Sequence, residues 1–235
     1  MNTAWPTAVV VDDAILIRQA LPVLMPKLHI TSSFATADEF CGSGVRADLV
    51  ILEMQRVDKC PDEVRRDIDD LRRVVSQGHQ VCSYTQETRP FVHAACLASG
   101  ARGVISKADP LPVAQELFLS VAGGDTIITA DLVAAFDLLP RRRQLAVLTE
   151  CQRSILTARA RRWSFPVTAA HLGLPEDVVR TEWQAASEAL ARYLHHADLD
   201  TVTARLDLDP GALADIWPTA HQRSSSSTQP RSQST

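Results

Sequence analysis

Five polar side chains, each at the carboxyl end of a short β-branched or apolar run, are the residues best placed to do chemistry. Asp12 and Asp13 follow Val9-Val10-Val11, and Glu53 ends Asp48-Leu49-Val50-Ile51-Leu52. Thr85 ends Gln80-Val81-Cys82-Ser83-Tyr84, and Lys107 follows Gly103-Val104-Ile105-Ser106. An acidic pair can hold a hard divalent cation through oxygen ligands. A hydroxyl and an ammonium can hold the oxygens of a phosphoryl group in transfer. Each residue alone has a plainer use: an acid pair after a strand caps a helix, and a threonine or lysine serves the surface. Their order and spacing make the set read as a phosphoryl-transfer pocket.

The elements that must position them are legible as alternating patterns. Strands are predicted at 8–11, 29–34, 48–52, 80–84 and 102–105, with helices near 14–25, 36–42, 62–77, 89–98 and 110–122. Strands alternating with amphipathic helices argue for a parallel sheet covered on both faces. The strand ends then share one edge, where open sheets of this kind place their sites. Pro22 falls inside the first helix and Pro26 near its end. An interior proline removes a hydrogen bond, so Pro22 is expected to kink or shorten that helix at about 3 kcal/mol. The loop Met54–Pro61 is long and polar, whereas Pro90 sits where a first-turn proline is tolerated.

This arrangement resembles the receiver domain of two-component response regulators, which carry two metal-binding acids, an acceptor aspartate, a threonine or serine, and a lysine. The 22-residue step from Thr85 to Lys107 is similar to the family's own. The resemblance puts Glu53 at the acceptor position. Its extra methylene extends the carboxylate by about 1.5 Å, into space that metal and phosphate would share, and magnesium tolerates little distortion. The resemblance therefore implies a pocket of Asp12, Asp13, Glu53, Thr85 and Lys107 without phosphotransfer. It implies no cofactor beyond residual magnesium on Asp12 and Asp13. The lengthened carboxylate could reach toward Thr85 and Lys107 and partly imitate a phosphorylated acceptor, with one charge in place of roughly −1.5 to −2. Three carboxylates around one lysine should raise at least one carboxyl pKa. The family's aromatic switch position, three before the lysine, is Val104; Tyr84 is the nearest substitute.

Past Gly123-Gly124 the pattern changes. Residues 125–140 read as a linker with a short helix around 132–138; helices follow at 145–160, 166–172, 176–193 and 199–206, with a short turn after Pro210. The segment Ala169-Ala170-His171-Leu172-Gly173-Leu174-Pro175-Glu176-Asp177-Val178-Val179-Arg180-Thr181 resembles the helix-turn-helix of LuxR/NarL-type regulators. Gly173 suits a left-handed turn, and Ala169 and Ala170 permit close helix approach. By that resemblance Arg180, Thr181, Trp183 and Gln184 face a DNA groove. Arg180 and Gln184 can read guanine or adenine edges, and Thr181 can contact a phosphate. Residues 141–163 hold seven arginines, Arg161 and Arg162 among them, against Glu150 alone. That local excess is either a phosphate-backbone footprint or a solvated helix face. Glu176, Asp177, Glu182 and Glu188 have the wrong sign for DNA. His195-His196 reads as a complement to the helix dipole.

At 235 residues and 46% apolar the chain supports two domains. A net charge of −4 excludes a generally polybasic protein. Five scattered cysteines without C-x-x-C spacing argue against a zinc site or a disulfide framework and for reduced thiols. No apolar stretch approaches the roughly 18 residues of a membrane span, and no signal peptide is visible; the reading is a cytoplasmic protein without membrane contact. The sequence thus implies an α/β plus all-α protein: a five-stranded, parallel, doubly wound receiver-like domain (1–124), a linker (125–140), a four-helix LuxR-type helix-turn-helix domain (141–217) and a disordered tail (218–235). By resemblance it is an atypical, orphan, non-enzymatic regulator binding promoter DNA as a homodimer, with possible RNA polymerase contact. Its composition, with only three lysines, suits a high-GC genome and a pathway-specific activator of secondary metabolism. The alternatives are a receiver responding to a small-molecule effector, a protein-partner module that has lost DNA binding, and a receiver that tolerates Glu53 and still uses phosphate.

Overall fold

The apolar runs become five strands: β1 (Thr7–Val11), β2 (His29–Phe34), β3 (Leu49–Leu52), β4 (Val81–Thr85) and β5 (Gly103–Ser106). In this computed structural model, which describes residues 5–54, 61–129, 132, 148–161, 163–206 and 217, all neighbouring strands pair in parallel, in the order β2-β1-β3-β4-β5. Central strand β3 is buried along its whole length, as a strand covered on both faces must be. Alternation along the strands sorts side chains into two layers. Val9, Val11, Val50 and Leu52 pack on one side with Phe40, Ile68, Leu71 and Val92. Ala8, Val10, Leu49 and Ile51 pack on the other with Leu21, Ala114, Phe118 and Val121. Helices α2 (Ala37–Ser43), α3 (Pro61–Ser76) and α4 (Pro90–Ala98) therefore cover the first face. Helices α1 (Ile15–Leu24) and α5 (Leu111–Ala122) cover the second.

Pro22 does not end α1. The helix runs through it to Leu24, and the Met25 amide still bonds Leu21 O at 3.0 Å. It stops one residue short of Pro26, whose ring disfavours helical backbone in the residue before it. At the far edge, a Cβ on Gly103 would lie 3.1 Å from Val121 and 3.2 Å from Cys82. A bare glycine there lets Ile127 bridge to β5, its amide donating to Arg102 O at 2.8 Å. Thr126, Ile127 and Ile128 are consequently buried, so the start of the segment expected to be linker is part of the sheet's packing. Of the short helix expected at 132–138, only Leu132, which is buried, is described.

Among the described residues four further helices follow: α6 (Glu150–Ala160), α7 (Phe165–Leu172), α8 (Glu176–His196) and α9 (Leu199–Leu206). Thr149 and Gln152 form a reciprocal capping box at the start of α6, and Ser164 caps α7. Gly173 ends α7 at φ 66°, the left-handed conformation that releases the chain into α8. Along α8, Val179, Trp183, Ala186, Leu190 and Leu194 are buried at helical spacing. Leu194 and the bond from the Ala197 amide to Tyr193 O (2.8 Å) carry the helix past the expected end at 193.

Helix α8 packs on α4, and the apolar core of the carboxyl-terminal helices is continuous with that of the sheet. This explains α4, where every residue from Val92 to Ala98 is buried: apart from His93, whose ring nitrogens meet Glu87 O and Thr129 Oγ1, the helix is apolar all round and must be covered all round. His195 Nδ1 lies 3.1 Å from Ala98 O across this contact. The loop at 55–60, the arginines at 141–143, Arg162, the turn after Pro210 and the tail at 218–235 lie outside the described residues. Among the described residues no helix is long and apolar enough to cross a membrane.

Candidate functional site

The strand ends meet as the parallel topology requires. The Glu53 amide donates to Val11 O at 2.8 Å, and the Lys107 amide to Thr85 O at 2.7 Å. These bonds align the carboxyl ends of β1, β3, β4 and β5. The Lys107 ammonium then reaches back across the edge, donating to Asp12 Oδ2 at 2.8 Å and also to Glu53 Oε1. Asp12 Oδ1 accepts from the Ala14 amide at 2.8 Å, fixing the entry to α1. Arg18, which the sequence reading did not single out, donates to the carbonyls of Asp12 and Asp13 at 2.5 and 2.9 Å. Asp12, Asp13 and Glu53 each bring a carboxylate oxygen to within 4.8 Å of the others.

This is a nearly dry cluster: side-chain exposure is 2% for Asp12, 9% for Lys107 and 15% for Glu53. Burial pulls the Lys107 ammonium down, but its bonds to Asp12 and Glu53 outweigh that, and it titrates above an ordinary lysine. Burial pushes the Glu53 carboxyl from the ordinary 4.5 up to about 7; the Lys107 bond and charge oppose this, and Asp12 adds to it. A raised carboxyl was expected from like-charge repulsion, but desolvation is the larger cause. Glu53 Oε2 is buried with no hydrogen-bond partner among the described residues.

Beside the cluster is a cavity of about 130 Å³ lined by Asp12, Asp13, Glu53, Asp67 and Asp70, with Thr36. Asp67 and Asp70 come from α3 and were invisible as pocket residues, because a helix face of alternating charge reads as solvated surface. Asp70 is paired with Arg73 at 2.5 Å. A cavity so rich in carboxylates opposes an incoming phosphate electrostatically. By chemistry, Asp13, Asp12 and the orphaned Glu53 Oε2 suit a hard divalent ion, with the lysine already neutralising part of their charge.

Thr85 departs from its expected role. Its hydroxyl donates to Met54 O at 2.6 Å and accepts from the Glu87 amide at 2.9 Å. The side chain is 1% exposed and ties the β3 and β4 ends together; it does not bond the Glu53 carboxylate. Strand periodicity placed the residue at the edge but could not give the direction of its hydroxyl. Val104, at the position where an aromatic was expected, is buried. Tyr84 is buried edge-on to Phe118, with the Lys107 ammonium 5.6 Å above its ring.

The second candidate surface is the α7–α8 pair. Arg180 and Thr181 are exposed on α8. Arg180 pairs with Glu176 at 2.6 Å, its guanidinium 4.4 Å from the Phe165 ring. The Thr181 hydroxyl bonds Asp177 O at 2.9 Å. Trp183 does not face outward as expected: it is 6% exposed and belongs to the buried seam of α8. The spacing 179, 183, 186, 190 was the available signal. Gln184 lies against the Thr126 backbone; with its amide turned to match donor to acceptor, its oxygen is 2.6 Å from the Thr126 amide and its nitrogen 3.3 Å from the carbonyl. It is therefore occupied by the sheet lobe. Arg161 is exposed at the end of α6, its guanidinium 6.0 Å from the Trp163 ring; Arg162 lies outside the described residues. Glu182, of the wrong sign for DNA, accepts from Gln152 at 3.0 Å.

No family model matches the chain, and no curated protein does. Solved structures similar to it are response regulators. The RcsB response regulator–DNA complex is 12% identical over 91% of this chain and 100% of its own, at a TM-score of 0.48. The RcsB response regulator of Salmonella typhimurium is 13% identical over 86% and 96%, at 0.47. A LuxR family DNA-binding response regulator from Silicibacter pomeroyi is 21% identical over 52% and 95%, at 0.42.

Proposed function

We propose that the chain is a non-enzymatic, DNA-binding transcriptional regulator whose sheet domain works without phosphorylation. The observation that carries this reading is the closed ion cluster at the strand ends: Lys107 is held by Asp12 and Glu53 together. The longer glutamate takes up the lysine, and the adjoining acidic cavity disfavours a phosphate. Residual magnesium would be held by Asp12 and Asp13 with Glu53 Oε2, and no step of the proposed function depends on it.

Support for DNA binding comes from the capped α6, the tight Gly173 turn and the exposed Arg161, Arg180 and Thr181. With Gln184 against Thr126 and α8 on α4, part of this surface is covered. In this reading promoter DNA binds a form in which α8 has separated from α4, and a homodimer supplies the affinity one acid-bearing recognition helix lacks. Contact with RNA polymerase and a role as pathway-specific activator belong to the same proposal. A salt-titrated mobility-shift assay with genome-derived fragments tests it. Specific binding should fall steeply with salt, and Arg180→Ala should weaken it. Absence of salt-dependent binding by full-length protein to any fragment would leave a protein-partner module in its place.

A further inference from the structure

A cleft of about 560 Å³ lies between α5 and the carboxyl-terminal helices, walled by Val113, Leu117 and Ile127 on one side and by Phe165, Trp183 and Arg159 on the other. Its volume falls in the range of small-molecule sites, which combine apolar walls with a few polar groups. The polar groups are unevenly compensated. Glu116 is paired with Lys27 at 3.0 Å and Arg180 with Glu176 at 2.6 Å. Arg159 has no carboxylate partner among the described residues. Its guanidinium lies 4.2 Å from the Phe165 ring and 5.4 Å from that of Trp183, and one of its nitrogens bonds Trp163 O. Its Nε is buried with no partner among the described residues. Burial, with Arg180 nearby, lowers its pKa, the signature of a cation short of a counter-charge. The half-buried Asp125 stands on the opposite wall, so the cleft carries a polarity that would orient a ligand.

We propose that this cleft binds a small amphipathic anion, such as an aromatic or branched aliphatic carboxylate, with its charge on Arg159 and its apolar body between Leu117 and Trp183. The positive end attracts the carboxylate, and Asp125 keeps it from the other end. Both lobes supply walls, and Arg180 and Gln184 line the same cleft. A bound ligand therefore holds the lobes together and opposes DNA binding, which in the function proposed above needs α8 free of α4; by reciprocity DNA weakens the ligand by the same factor. That coupling rests on the function proposed above; the site itself does not.

The test uses the full chain and two probes of similar shape, the anion anilinonaphthalene sulfonate and the neutral phenylnaphthylamine, titrated by calorimetry. The proposal expects one saturable site for the anion. Arg159→Gln should weaken it about tenfold or more, the usual loss when a hydrogen bond to a charged group goes, while the neutral probe is unaffected. Val113→Glu, at a half-exposed position, should also weaken the anion by setting a like charge in the cleft. If near-ultraviolet dichroism shows that Arg159→Gln does not fold, Val113→Glu decides. Non-saturable binding, equal losses for both probes, or no loss in a folded variant overturns the proposal. A chain that binds the anion at Arg159 yet ignores DNA keeps the site and loses the DNA reading; DNA binding without probe binding does the reverse.

Discussion

Replacing Glu53 with glutamine should change how stability depends on pH, and the size of the change follows from the geometry. In the folded chain the Glu53 carboxyl titrates at about 7 against an ordinary 4.5. The folded state therefore binds more protons than the unfolded state between those values, and stability falls as pH rises through the window. At about 1.36 kcal/mol per pH decade, the separation costs on the order of 3 kcal/mol once Glu53 is fully ionised. His79 works the other way: burial lowers its pKa, so its contribution rises with pH over part of the same range. The informative quantity is thus the difference between wild type and Glu53→Gln. Urea unfolding from pH 4.5 to 8, on both proteins, should show the difference growing in favour of the variant by about 3 kcal/mol toward high pH. Lys107 retains Asp12 as a partner in the variant, so no buried ammonium is stranded. Parallel curves across the window would refute the claim that Glu53 is held in a desolvated cluster.

Thr85→Val should destabilise the fold by about 1–3 kcal/mol, because it strands the buried Met54 carbonyl and Glu87 amide; calorimetric melting checks this, and a null effect would return the hydroxyl to the pocket. Gly173→Ala should cost about 1 kcal/mol: among the described residues no atom lies within 4 Å of the added Cβ, so the loss comes from the left-handed backbone alone. Trp183→Phe should leave the salt slope of DNA binding unchanged, since Trp183 belongs to the helix seam, whereas Arg161→Ala, at an exposed arginine of the basic run, should lower the slope by about one.

The sheet was legible because short β-branched runs recur with helical spacers, and parallel strands bring their ends to one edge whatever the intervening lengths. That is why Asp12, Glu53 and Lys107 could be grouped from positions so far apart. Direction was not legible: nothing in the order of residues says that Thr85 turns toward Met54, or that Asp67 and Asp70 on α3 face the same cavity. Contacts between the lobes were also hidden. The largely apolar α4, with His93 its one ionisable residue, and the absence of a bulky residue at Gly103 are the traces of what covers them, but neither names its partner. Trp183 was assigned outward by analogy, while the 179-183-186-190 spacing pointed inward. Arg159 was counted within a basic run, where only its burial against Phe165 distinguishes it.

In the proposed function the Lys107–Asp12–Glu53 cluster has replaced phosphoryl chemistry. Intact-protein mass spectrometry after incubation with acetyl phosphate and magnesium tests it most directly, with peptide mapping of any product. Unmodified protein, with Glu53 recovered intact, is the expected result. A stable phosphoryl adduct mapped to Glu53 would contradict it.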